Sequence, residues 1–385
     1  MLAQLEGSQA VAKAVALCRP NVVCAYPITP QTHIVEGIGD LVYSGELKDC
    51  EFINVESETA ALSVAVGASA SGVRSYTATS SQGLLYMIEV VYNASGLKLP
   101  IVMTLGNRAI GSPINIWNDH TDAMSVRDAG WIMLFADSNQ EAVDLHIQAF
   151  KIAEEMSIPV MVCVDGFILT HAYESIDIPS QEQVDKFLPD FKCIHQLDTN
   201  NPCAIGSMVP PNVFEEVRAI AHNRQGKAVK SIIDAQKDFN EIFGRNSGGL
   251  IKKYKTEGAD TIVVCMGSVA GTIQDTIDEL DANIGCLTIT SYRPFPAKEI
   301  AEALKDCKRV IVVEKAFAIG KDGVLADEIR LALKEDMSKV KTVVAGLGGR
   351  AIKKGQLKEV FMNENLPDFS FLSLDNELLE SVCNL

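Results

Sequence analysis

VVCAYPITPQTHIVEGIGDLVYSGELKDCEFINVESE, residues 22–58, decides the fold. It opens on a β-branched run, Val22 to Tyr26, that predicts a strand. Two prolines carry the chain through Tyr26-Pro27-Ile28-Thr29-Pro30, after which apolar residues at helical spacing predict a helix from Gln31 to Val42. A second strand is expected from Glu51 to Val55, and Glu56-Ser57-Glu58 opens another helix. Alternation at this spacing is the mark of a parallel sheet flanked by helices, because parallel strands need a crossover long enough to hold a helix. The pattern continues outward. Strands are expected at Val73–Ala78, Pro100–Leu105, Trp131–Phe135 and Pro159–Val164, with helices at Glu58–Ala68, Gly83–Ala94 and Asn139–Met156. The helix from Glu58, ETAALSVAVGASASG, is almost all small residues, which suits close packing on a sheet or a second chain.

Beyond this region the signals change. The N-terminal MLAQLEGSQAVAKAVALC predicts an amphipathic helix and lacks the basic start and cleavage site of a signal peptide. From Tyr173 to Phe214 the periodicity fades and prolines gather, which predicts a connecting segment wrapping the first domain, followed by helix from Phe214 to about Tyr254. Thr261–Cys265, Gly285–Thr290, Arg309–Val313 and Val340–Ala345 predict the strands of a second α/β unit. The expected division is 1–254, with a core of about 1–172, and 255–385.

Composition narrows the function. The 34 basic and 50 acidic residues give a net charge of −16, so a nucleic-acid surface is excluded as the main business. No apolar run reaches the roughly 18 residues of a membrane span. Ten cysteines are scattered with no C-x-x-C pair, so an iron-sulfur cluster held by this chain alone is not expected. Most should be reduced, buried and structural, in a cytoplasmic compartment.

Candidate chemistry falls at four successive strand ends, where open parallel sheets place their ligands. Tyr26-Pro27-Ile28-Thr29-Pro30 is a rigid turn bearing a hydroxyl. Glu58 offers either a helix cap or a carboxyl group placed for proton work. Thr77-Ala78-Thr79-Ser80-Ser81-Gln82-Gly83 offers either a hydroxyl-rich cap or donors facing a ligand. Arg108, in Gly106-Asn107-Arg108, suits anchoring a carboxylate or phosphate. Asp119, His120 and Asp122 in the following loop are either metal ligands or members of a hydrogen-bonded loop. Two further motifs are decoys. Gly346-Leu347-Gly348-Gly349-Arg350-Ala351 has dinucleotide-binding spacing but too little chain after it for the rest of such a domain. Asp165-Gly166-Phe167 matches a kinase triplet without the phosphate-binding elements that should precede it.

YPITP, VESETAA, TSSQGLL and GNRAIGSPINIWNDHTDA, in this order, resemble the alpha subunits of the pyruvate:ferredoxin oxidoreductases, also called pyruvate synthases, of the 2-oxoacid:ferredoxin oxidoreductase family. The likeness continues through VMVCVDGFILTHAYE, VVCMGS, SYRPFP, VVEK and GLGGR over nearly the whole chain. It implies an α/β fold with a thiamine-diphosphate-type pyrimidine domain on a parallel sheet, plus a smaller transketolase C-terminal-like α/β domain. The implied reaction is reversible oxidative decarboxylation of pyruvate with coenzyme A to acetyl-CoA and CO2, with electrons passed to ferredoxin. Glu58 would contact N1′ of the cofactor's aminopyrimidine, with Tyr26, Pro27, Ser81 and Gln82 completing the cofactor side. Thr29 and Arg108 would hold the substrate carboxylate. The resemblance also implies a split enzyme, in which a beta subunit holds the diphosphate and Mg2+. The [4Fe-4S] clusters would lie only in partner subunits, and gamma and delta subunits would complete the complex. No resident metal is expected in this chain. Rival expectations are a sister enzyme for branched-chain or other 2-oxoacids, a noncatalytic structural subunit, and a nucleotide-dependent dehydrogenase using the Gly346 motif.

Overall fold

The computed structural model describes residues 2–194 and 196–383. Two compact units divide the chain, one of Met1–Ile251 with Thr290–Pro296, the other of Lys252–Ile289 with Ala297–Leu385.

The first unit starts with β1 (Leu2–Glu6) and α1 (Gly7–Leu17), then alternates β2 (Val22–Ala25), α2 (Thr32–Tyr43), β3 (Glu51–Asn54), α3 (Glu58–Ala70) and β4 (Ser75–Thr79). Next come α4 (Ser81–Tyr86), α5 (Ile88–Gly96), β5 (Ile101–Asn107), α6 (Thr121–Ser125), β6 (Ile132–Phe135), α7 (Asn139–Met156) and β7 (Val160–Asp165). The chain then runs through β8 (Tyr173–Asp177), α8 (Gln181–Phe187) and α9 (Pro211–Phe243). The second unit contains β9 (Ile251–Tyr254), β10 (Thr261–Cys265), α10 (Val269–Asp278) and β11 (Ile284–Ile289), after which β12 (Ser291–Arg293) returns to the first unit. It resumes with α11 (Ala297–Leu304), β13 (Arg309–Glu314), α12 (Val324–Leu333), β14 (Val340–Val344), α13 (Lys354–Met362), β15 (Phe369–Phe371) and α14 (Asn376–Cys383).

Among the described residues, seven strands form the first unit's main sheet in the order β12-β6-β7-β5-β4-β2-β3. Every pair in it is parallel except β12 with β6. β4, β5, β6 and β7 are buried along their whole length, as strands covered by helices on both faces must be. The buried alanines of α3, Ala61, Ala65 and Ala70, let it pack closely on β2 and β4, while α7 packs against β5, β7, α1 and α9. Arg74 is buried beside β4, where it donates to both carboxylate oxygens of Glu154, at 2.5 and 3.0 Å, and to the carbonyls of Cys18 and Pro189. One guanidinium thus ties the post-β8 segment to the body of the unit.

Four local expectations change. Leu2–Glu6 is a strand and not the first turn of a helix, because it pairs antiparallel with the distant β8, Leu2 opposite Asp177 and Glu6 opposite Tyr173. The expected Gly83–Ala94 helix is broken at Met87 into α4 and α5. The segment after Tyr173 carries β8 and α8 before it turns irregular. The long helix ends at Phe243, where Gly244 takes φ +72°, and Ile251–Tyr254 is extended.

In the second unit the sheet order is β15-β14-β13-β10-β11-β9. Its core joins β10, β11, β13 and β14 to α10 and α13 through Val263, Ile273, Ile311, Val343, Leu357 and Phe361. Gly346-Leu347-Gly348 is a short turn, and α13 starts only at Lys354, so no helix follows the turn closely enough to receive a dinucleotide phosphate. Six cysteines, 18, 24, 163, 265, 286 and 307, are buried, Cys50 and Cys193 are partly buried and Cys203 is exposed. The side chain of Cys383 lies outside the described residues. No helix among the described residues is long and apolar enough to cross a membrane.

Candidate active site

β5, β4, β2 and β3 are neighbours and parallel, so their carboxyl ends lie along one edge of the sheet. The four sequence candidates occupy that edge side by side. Tyr26, Pro27 and Thr29 follow β2, Glu58 follows β3, Ser81 and Gln82 follow β4, and Arg108 follows β5.

Glu58 is the first residue of α3, after the N-cap Ser57, whose hydroxyl accepts from the Ala60 amide at 3.2 Å. Capping is therefore done by Ser57. The Glu58 side chain is only 8% exposed, and no described residue hydrogen-bonds its carboxylate. Gly83 is packed against it, since a Cβ there would lie 2.8 Å from Glu58 Oε1 and 2.5 Å from Thr79 Oγ1. Thr79 Oγ1, Ser80 Oγ, Gln31 Oε1 and Asn107 Oδ1 are also buried at this edge without a partner. Buried polar groups are normally paired, so such a concentration of unmade hydrogen bonds marks a place built for something else.

Arg108 is 6% exposed and held from three sides. Its amide donates to Asp122 Oδ2 at 3.0 Å, Nε donates to the Asn115 carbonyl at 3.1 Å, and Nη1 donates to the Thr29 carbonyl at 2.9 Å. Its Nη2 donates to no described residue, which leaves half of the guanidinium fork for a ligand. Thr29 is thus joined to Arg108 through its backbone, while its side chain is exposed. Tyr26 is 37% exposed and Pro27 is exposed at the mouth of the turn. Gln31, fully buried, braces that turn by donating from Nε2 to the Tyr26 carbonyl at 2.8 Å.

Asp122 is the residue whose role the sequence hid. It is fully buried on α6 and receives four donors. Oδ2 accepts from the Ser81 and Arg108 amides, both at 3.0 Å, while Oδ1 accepts from Asn107 Nδ2 at 2.9 Å and the Ala123 amide at 2.7 Å. Burial pushes its pKa up to about 7 against the pull of these hydrogen bonds. One carboxylate therefore clamps the turns after β4 and β5 together. It also holds Ser81 at φ +48°, a left-handed backbone that costs a residue with a side chain on the order of 1 kcal/mol. The Ser81 hydroxyl lies 2.5 Å from both the Ala109 carbonyl oxygen and the Gln82 amide oxygen.

Asp119, His120 and Asp122 do not converge on a common point. Asp119 accepts from the Thr121 amide and hydroxyl, His120 Nε2 lies 2.7 Å from Asp165 Oδ1, and Asp122 serves the clamp. Asp165 of the kinase-like triplet is consumed in this network, where it also accepts from Asn118 at 3.2 Å. Gly166 has a steric role, because a Cβ there would lie 2.4 Å from the Asn107 carbonyl oxygen and 2.6 Å from Pro30 Cγ. Only glycine lets the turn after β7 approach the turns after β2 and β5. The sequence carried no sign of that approach beyond the glycine itself.

A family model described as pyruvate flavodoxin/ferredoxin oxidoreductase, thiamine diphosphate-binding, matches residues 13–237. A second, pyruvate:ferredoxin oxidoreductase core domain II, matches residues 259–357. Pyruvate synthase subunit PorA of Methanosarcina barkeri is 42% identical over 384 residues, covering 98% of this chain and 96% of that protein. Ketoisovalerate oxidoreductase subunit VorA of Pyrococcus abyssi is 39% identical over 362 residues, covering 92% and 91%. Among solved structures, 2-oxoglutarate:ferredoxin oxidoreductase from Magnetococcus marinus superposes with a TM-score of 0.70 at 20% identity, over 93% of this chain and 64% of that one.

Proposed function

Because the chain belongs to the pyruvate:ferredoxin oxidoreductase family, we propose that its sheet edge forms the pyrimidine side of a thiamine diphosphate site in a multi-subunit pyruvate synthase. The buried, unpartnered carboxylate of Glu58 carries this reading. A pyrimidine ring nitrogen bearing a proton is the partner such a group lacks, and Gly83 lets the turn after β4 lie directly against the carboxylate. The residues present therefore fit the cofactor. When bound, thiamine diphosphate supplies the carbon nucleophile and electron sink for decarboxylating a 2-oxoacid.

This chain's own residues would act as follows. Glu58 holds a proton between its carboxylate and the pyrimidine N1′, and its burial keeps water from competing for that bond. Arg108, fixed by the Thr29 and Asn115 carbonyls, directs Nη2 toward the substrate carboxylate. The Thr29 hydroxyl adds a neutral donor. Tyr26, Pro27, Ser81 and Gln82 shape the cofactor side, and Asp122 fixes the spacing between the Ser81 and Arg108 turns.

The remaining functions fall to partners. We assign the diphosphate and Mg2+ to a beta subunit, the [4Fe-4S] clusters to partner subunits, and completion of the complex to gamma and delta subunits. Electrons pass to ferredoxin and the acetyl group to coenzyme A, in the cytoplasm. Purified chain alone should bind thiamine diphosphate weakly in a calorimetric titration, and the complex copurified with it should bind tightly. Tight binding by the chain alone would defeat the split site. The VorA relative favours a second reading, a branched-chain 2-oxoacid. Assay of the complex with pyruvate and with 3-methyl-2-oxobutanoate separates the two by their kcat/KM.

A further inference from the structure

Three side chains from distant parts of the sequence converge at a second place in the first unit. Glu6 ends β1, His33 lies in the first turn of α2, and His171 lies in the loop between β7 and β8. Their ligand atoms all fall within 4.8 Å of one another, and among the described residues no other group of histidine, cysteine or carboxylate side chains gathers in this way. We propose that Glu6, His33 and His171 form a three-ligand site for a divalent transition-metal cation of the zinc class, with its remaining coordination open to solvent.

The backbone holds the ligands in place before any cation arrives. The Gly7 amide donates to the Ala172 carbonyl at 3.0 Å and the Ser8 amide to the Thr170 carbonyl at 2.9 Å, so Glu6 is fastened beside His171. The Ser8 hydroxyl adds a further bond to Thr170 O at 2.7 Å. Gln9 on α1 donates to the His33 carbonyl, joining α2 to the same point. Thr170 Oγ1 accepts from the Phe167 amide and lies 2.8 Å from His171 Nδ1, which fixes the orientation of the ring. A hydrogen bond on the far ring nitrogen is the usual support for a metal-binding imidazole.

Donor chemistry sets the cation class. Two imidazoles and one carboxylate suit zinc and its neighbours, whereas magnesium and calcium prefer oxygen alone. Three protein ligands leave one position for water. Ligand atoms around a tetrahedral zinc stand about 3.3 Å apart, so the cluster must contract by about 1 Å or more. His33 can supply that movement, because its side chain is 44% exposed. Its present contact, Nδ1 to Glu6 Oε1 at 2.7 Å, would open slightly as both ligands turn to the ion.

The place has a bearing on the loop that holds Arg108. The His33 and His171 rings lie 4.8 Å apart and tilted by 35°, those of His171 and Phe167 4.6 Å apart at the same tilt, and Phe167 reaches Trp117 at 6.5 Å. Trp117 lies two residues beyond Asn115, whose carbonyl receives Arg108 Nε. A cation on the two imidazoles would fix one end of this ladder of rings.

The test is calorimetric titration of the chelator-treated full chain with Zn2+ alone. One equivalent should bind in the wild type and in Cys203→Ser, and should raise the melting temperature in both. His33→Asn, a substitution at a half-exposed position, should abolish that equivalent and the thermal shift. Thr170→Val should weaken it by about 10- to 100-fold, the scale for a residue supporting a ligand. No saturable equivalent in the wild type, or one retained in both His33→Asn and His171→Asn, would overturn the site.

Discussion

Glu58 in the first unit and Glu314 in the second stand at similar places, each beside the carboxyl end of a strand in a parallel sheet and each buried, at 8% and 3% exposed. Their hydrogen bonding differs completely. Glu314 accepts from the Leu325 amide at 2.8 Å and the Ala326 amide at 3.2 Å, in the first turn of α12. Gly323 makes room for it, since a Cβ there would sit 1.8 Å from Oε1. Glu58 accepts from no described residue. Position and burial are thus common to a carboxylate that locks a helix to a strand and to one that the described residues leave without a hydrogen-bond donor. What separates them is whether the fold itself meets the hydrogen-bonding capacity.

The sharpest test of that contrast is the same substitution in both places. Glu58→Gln should lower turnover of the assembled complex by about 10^2- to 10^4-fold, the range of general acid-base contributions. Glu314→Gln should leave turnover intact in the same ferredoxin-reduction assay. Equal losses would erase the distinction. Arg108→Leu should cost about 2–4 kcal/mol in kcat/KM for the 2-oxoacid with cofactor content normal, because a charge-assisted contact is lost. A near wild-type kcat/KM would move carboxylate recognition to another subunit.

Stability against pH probes the other side of the contrast. Burial pushes the Glu314 pKa up to about 7, outweighing the α12 amides that lower it. The folded form then keeps a proton that the unfolded chain releases near 4.5. The stabilisation is complete below about pH 4.5 and falls as pH rises through about 7, by a total on the order of 3 kcal/mol. Hydrogen exchange at the Leu325 and Ala326 amides should show that slope in the wild type and a flatter one in Glu314→Gln. The smallest effect belongs to Thr29→Val, about 1–2 kcal/mol in kcat/KM for one neutral hydrogen bond. The carbonyl that receives Arg108 Nη1 survives this change, so Arg108 stays in place. A loss as large as that of Arg108→Leu would show that the threonine hydroxyl, and not the carbonyl, governs the arginine.

Much of the first sheet is legible in the sequence because its strands are short apolar runs separated by helices with their own period, as in Val22–Ala25 and Asn139–Met156. Tyr26, Thr29, Glu58, Ser81 and Arg108 could be picked out because each is a polar group within four residues of the end of such a run. Leu2–Glu6 could not be recognised, since five residues running into Gly7–Leu17 look like one helix until β8 is known to lie beside them. Ser291–Arg293 is too short to show any period. The same non-locality hid the part played by Asp122. Its identity and its loop left open a metal ligand or a member of a hydrogen-bonded loop, and only the approach of Ser81, Asn107 and Arg108 shows which groups it clamps. Likewise Glu6, His33 and His171 carry no mutual spacing to notice.

β12 places a constraint on how the molecule is made. Ser291 and Arg293 pair with Leu134 and Met133, so the edge of the first sheet is closed by residues that follow β10, α10 and β11 in the chain. A ribosome releasing roughly 5–20 residues per second leaves the β6 edge open for about 8–30 seconds after that strand has emerged. An apolar strand with one row of amides and carbonyls unmet is a template for pairing with another nascent chain. On a polysome such chains are close together. Slow elongation between residues 135 and 290 should therefore lower soluble yield, whereas the same delay placed after residue 296 should not.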